Sequence, residues 1–131
     1  MAKMSNYLED EILDHILAVG SWTMPTGILV GLVTTPSSDS ARGTEETGTG
    51  YSQQTVTFGA ASSGAAANTD AVSFLATAGD WGDAVGCFLD SDGTSTPANQ
   101  FLMHDNDMTD TAVGDGDTLQ FAIGDIDVTM D

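Results

Sequence analysis

The chain has 131 residues and a mass of 13.5 kDa, room for one domain and no more. It carries 20 acids against Lys3 and Arg42, a net charge of -18 with a pI near 4.1. That sign opposes direct nucleic-acid binding, which draws its affinity from Lys and Arg on phosphates, and it opposes docking on anionic membranes.

Sixteen of the acids are Asp and four are Glu. Asp favours turns and Glu favours helices, so the bias predicts a β-rich chain. No Lys or Arg occurs after Arg42, so carboxylates in that long stretch find no cation within their own segment. Spread evenly, the acids would sit about 18 Å apart on a molecule of this mass, beyond the Debye length of about 8 Å in physiological salt. Local clusters are harder to tolerate: Asp105, Asp107 and Asp110 lie close together, with Asp115 and Asp117 following. At about 1 M salt the screening length shrinks to roughly 3 Å and these clusters become quiet. A protein working in concentrated brine, from a halophilic source, is the expectation. Cys87 is the single cysteine, which excludes an internal disulfide, and its apolar surroundings predict a buried, inert thiol. No long apolar run follows Lys3, so neither a secretory signal nor a transmembrane span is expected.

In chain order, residues 5–17 form one short amphipathic helix. Leu8, Ile12, Leu13, Ile16 and Leu17 share one side, and acids occupy much of the rest. Ser5 or Asn6 can cap its start, Asn6 with Glu9 has capping-box spacing, and Gly20 is a natural stop. Either the helix covers an end of its own domain or it docks on a neighbouring subunit. Residues 28–34 (ILVGLVT) read as a buried strand. The polar stretch 35–50 reads as a mobile loop with nothing to anchor a core. Residues 51–58 alternate, with Gln54, Val56 and Phe58 on one side; residues 59–68 are rich in small residues and read as a loop. Further strands are expected at 71–74, 84–89 and 99–104, with a turn over 90–97. Leu119, Phe121 and Ile123 alternate, as do Ile126, Val128 and Met130, and Gly124-Asp125 between them predicts that the last two strands pair as a hairpin. The sum is a mainly β chain: an antiparallel sandwich or barrel of seven or eight strands with one N-terminal α-helix. Residues 1–20 form the helical arm and 21–131 the β-domain with its loop at 35–50.

Asp90-Ser91-Asp92-Gly93-Thr94 resembles the start of a calcium loop, but residues 95–101 supply no downstream acid, which favours a plain Asp-Gly turn. Asp105, Asp107 and Asp110 are weak candidates for the same hard cation, with a solvated acidic loop as the bland alternative. His15 and His104 lack the partners of a zinc site; His15 reads as a surface helix residue, and His104 beside Asp105 as a group with a raised pKa. No nucleophile elbow or matched base is present, so no enzyme is expected. Trp22, Trp81, Tyr51 and the five Phe are spread singly, as core residues are.

A set of landmarks then carries a resemblance. They begin with Asn6-Tyr7-Leu8-Glu9-Asp10 and Ile12-Leu13-Asp14-His15-Ile16-Leu17. Gly50-Tyr51 comes next, then Gln54 to Phe58 with Gly59-Ala60-Ala61, Asn68, Phe74, Trp81-Gly82 and Phe88. The last run from Gly116-Asp117 through Phe121 to Gly124-Asp125-Ile126-Asp127-Val128-Thr129. Together they resemble a group of small virion proteins of tailed viruses described as tail-fibre-like or head-decoration proteins. Where such proteins often carry Arg after the Gly-Tyr pair, this chain has Gln53 and Gln54. The resemblance implies a virion structural subunit without catalytic residues, and the charge fits a tailed virus of haloarchaea. The expected role is decoration of the outer capsid lattice as a homo-oligomer, first of all a trimer. The partners would be other copies and the major capsid protein or tail proteins, with no nucleic acid and no membrane. Leu8, Ile12, Ile16 and Arg42 are the candidate contacts. A tail or fibre component for host attachment is the nearest alternative; a calcium-dependent carbohydrate-binding module and an acidic DNA mimic are rivals of other classes.

Overall fold

The computed structural model describes residues 2–95 and 97–130. Thr96, inside the turn expected over 90–97, lies outside the described residues, as do the chain's two end residues. Eleven short strands and one helix are present among the described residues, more strands than the seven or eight expected. The additional ones are two or three residues long, too short for alternation to announce them.

The chain opens with β1 (Lys3–Met4) and α1 (Asn6–Ile16). Ser5, not Asn6, is the N-cap: its Oγ accepts from the Leu8 amide at 3.3 Å and donates to the Phe101 carbonyl at 2.8 Å. The cap therefore ties the helix to the main sheet as well as satisfying its first turn. The helix ends sooner than Gly20. Ala18 takes a left-handed φ of 59°, and the Val19 amide donates to the Asp14 carbonyl at 2.9 Å, the long bond of a Schellman stop with Ala where Gly is usual.

Next come β2 (Ile28–Val33), β3 (Gln54–Val56), β4 (Ala65–Ala67), β5 (Val72–Leu75), β6 (Gly82–Ala84) and β7 (Gly86–Ser91). The chain closes with β8 (Phe101–Asp105), β9 (Thr111–Val113), β10 (Thr118–Phe121) and β11 (Asp127–Thr129). One antiparallel five-stranded sheet has the order β1-β8-β7-β2-β3. Three two-stranded ribbons, β10-β5, β11-β4 and β6-β9, share one apolar core with it. The sheets stay open, so of the two architectures expected the closed barrel is excluded.

Register explains why β2 and β7 read as continuous apolar runs. Val30 lies opposite Leu89 and Leu32 opposite Cys87, and these face the core with Val56, Val72, Phe74, Trp81, Ala84, Val113, Leu119 and Ile126. Gly31 and His104 lie opposite Phe88 on the other face, and that face is also covered. Strands buried on both sides lose the polar alternation of a half-exposed sheet. Gly31 is required here: a Cβ would come within 2.2 Å of the Phe88 ring and 2.8 Å of the Tyr51 hydroxyl.

The cover is the stretch 35–50, which corrects its assignment as an unanchored loop. The Thr34 amide donates to the Thr44 carbonyl at 2.8 Å, and the Glu46 amide to Leu32 at 3.0 Å. Asn106 brackets buried Ser37, accepting from its amide at 2.9 Å and donating to its carbonyl at 2.8 Å. The Asn6 amide donates to Asp39. Buried Glu46 accepts from the Thr47 and Gly48 amides through Oε1. Polar residues anchor this strap by hydrogen bonds, a device that hydropathy does not reveal.

The hairpin expected between the last two strands does not form. β10 pairs with β5 and β11 with β4. The Gly124-Asp125 turn is present, with Gly124 at φ 87°, but it acts as a corner that moves the chain from one ribbon to the next. Buried Asn68 holds that corner. Its Nδ2 donates to the Asp70 and Ala122 carbonyls, and its Oδ1 accepts from the Gly124 and Ile126 amides, all between 2.8 and 2.9 Å. The strand expected at 84–89 is divided between β6 and β7, and residues 59–68, expected as loop, contribute β4.

Candidate functional site

Two surfaces concentrate the features left over once the core is accounted for. The first is an apolar groove of about 530 Å³ beside the helix. Leu8, Trp22, Met24 and Pro25 line one part of it, and Ile28, Phe58, Ala61, Ala66, Leu89, Leu102, Met103 and Val128 line the rest. No charged side chain lines it. Next to it α1 is anchored only near its start, where Leu8 is 3% exposed. The C-terminal end of the helix and the segment after it stand free: Leu13 is 55%, Ile16 71%, Leu17 67%, Val19 75% and Met24 76% exposed. Of the contact candidates, Leu8 is therefore spent inside its own chain, Ile12 is half-buried, and Ile16 projects into solvent.

The second is a polar cluster under the strap. Arg42, the fourth contact candidate, pairs through its guanidinium with Asp90 and with Glu45, the latter at 3.3 Å, and lies over the Phe88 ring at 4.6 Å. Glu45 also accepts from the Tyr51 hydroxyl at 3.1 Å and from Gln53 at 2.9 Å. Burial raises the Asp90 carboxyl to about 6 even though the adjacent Arg42 opposes the shift. Burial likewise pushes the Tyr51 phenol well above its ordinary range, so it stays protonated, its oxygen accepting from the Leu32 amide at 2.9 Å. Burial raises the Cys87 thiol to about 12, which leaves it unreactive.

The remaining candidates separate. Asp90 lies inside β7 rather than in a turn, on the strap side with Arg42. Asp92 turns elsewhere: its Oδ1 accepts from the Thr94 amide and from the Thr94 and Ser95 hydroxyls, the local bonding of an Asp-Gly turn. These bonds, the Ser95 one first, lower its pKa. Asp105 Oδ1 accepts from the Asp107 amide at 2.7 Å, and Asp110 is exposed. Among the described residues no three His, Cys, Asp or Glu side chains are arranged to hold a metal ion. His15 is exposed on the helix. His104 differs from its expectation: it is buried against Phe101, 3.7 Å from Asp39, and desolvation lowers its pKa rather than raising it.

Sequence reasoning missed Trp22, Met24 and Pro25 as groove walls and took Trp22 for core. A signal was available: residues 16–38 hold no charged side chain in a chain of 20 acids. Tyr51 and Trp81 are core aromatics as expected, packed edge to face at 5.7 Å, with Tyr51 stacked on Phe74 at 5.9 Å.

No curated protein matches the chain. A family model described as Podophage GP4 fiber I protein gp80 matches residues 3–129, from β1 through β11. The match takes in both surfaces and nearly the whole sequence, and the chain belongs to this family of tailed-virus fibre proteins.

Proposed function

We propose that the chain is a structural subunit of a tail fibre that serves host attachment, and that it works by assembly rather than catalysis. The family match over residues 3–129 carries this reading. It favours the fibre role over decoration of the capsid lattice, the role first expected from the sequence. The exposed apolar groove and helix end supply a surface for association within the virion. Several weak contacts of this kind add up when subunits are linked, so each need not be strong. Immunogold labelling of intact particles tests the placement: label is expected on the tail, and label spread evenly over the capsid at high copy number would return the assignment to decoration. Glycan binding abolished by chelation would instead favour the calcium-dependent carbohydrate-binding module.

A further inference from the structure

We propose that residues 16–27 join copies of this chain head to tail, with Ile16, Leu17 and Val19 of one copy seated in the groove that Trp22, Met24 and Pro25 of the next copy form against its sheet. Monomeric surfaces rarely leave contiguous apolar residues uncovered. Here the exposed helix end adjoins an apolar groove on the same chain. On the projecting side the exposed parts of Leu13, Ile16, Leu17 and Val19 amount to on the order of 450 Å², somewhat over half of the roughly 800 Å² per partner of a standard interface.

Charge argues against a basic occupant and marks the face that a second copy would use. The stretch 16–38 is uncharged, whereas all 20 acids lie elsewhere on the chain and make the remaining surface self-repelling. A basic partner would be drawn to the carboxylates and would gain nothing from the neutral stretch. A second copy, equally acidic, has its least repulsive approach there. The projecting residues and the groove are different surfaces, so the contact is heterologous, and successive copies either close a ring or extend. This contact holds whether the assembly sits on tail or capsid.

Sedimentation of the full chain in about 1 M KCl, where carboxylate repulsion is short-ranged, tests it. The unmodified chain is expected at a multiple of 13.5 kDa. The double variant Ile16→Glu, Leu17→Glu alters the projecting residues, and Met24→Glu, Ala61→Glu alters the groove. All four positions are exposed, and circular dichroism checks that each fold is retained. Each variant alone is expected to weaken association at least about tenfold. An equimolar mixture is expected to restore a 1:1 complex, because one intact helix end still meets one intact groove. Ile123→Glu, adding a charge at another exposed position, is expected to leave association unchanged. A monomeric unmodified chain, an undiminished oligomer in either double variant, no complex in the mixture, or equal loss with Ile123→Glu would each overturn the proposal.

Discussion

Ala18 and Asp90 are single residues whose backbone or burial departs from what their chemistry favours. Ala18 supplies the left-handed stop of α1 at φ 59°, where a Cβ is crowded and Gly is not. Ala18→Gly is therefore expected to stabilise the fold by about 0.5–1 kcal/mol, the relief of crowding exceeding the added unfolded-state entropy. A higher urea midpoint at unchanged slope would register it. Asp90 acts through pH. Its folded pKa of about 6 lies above the usual carboxylate value, so the native state holds a proton that the unfolded state releases. The contribution is complete below about pH 4 and is lost as pH rises through about 6, a change of up to about 2 kcal/mol. His104 works in the opposite sense: its lowered pKa costs stability as pH falls below about 6.5. Comparing the chain with Asp90→Asn isolates the first effect. Thermal melts from pH 4 to 7 are expected to show a gap between the two that changes by that amount, and a pH-independent gap would contradict it.

Asn68 and the strap are features of whole elements, and both turn on hydrogen bonds rather than apolar burial. Asn68 makes four bonds that hold the corner between β10 and β11. Asn68→Ala would leave buried amides and carbonyls unpaired and is expected to cost on the order of 3 kcal/mol, measured by urea unfolding. Alternating residues at 119–123 and 126–130 disclosed two strands, and Gly124-Asp125 disclosed a turn, yet not the partners. Pairing depends on which strand edges the rest of the fold leaves within reach, and β5 and β4 offer those edges. The strap was illegible for a related reason. Ser37, Glu46 and Asn106 look solvated as residue types, and only their mutual geometry lets them be buried. The candidate site was partly legible: the helix and its apolar side were visible, but which of Leu8 and Ile16 would be covered depended on how α1 leans on β8.

The whole molecule is governed by its charge. Arg42 is tied to Asp90 and Glu45, and the chain as a whole carries a net charge of -18. Raising KCl from about 0.1 to 1 M shortens the screening length from about 10 to 3 Å. The melting temperature is accordingly expected to climb across such a series, and one unchanged or falling toward molar salt would remove the halophilic reading. Composition and periodicity alone determined a β-rich acidic chain, its leading helix and most of the longer strands, because these stem from local preference and from the period of burial. Only the tertiary structure decided the open sheets, the partners of each strand, the burial of the strap and the exposure of the helix end. Those depend on contacts between residues far apart in the chain, which no local pattern encodes.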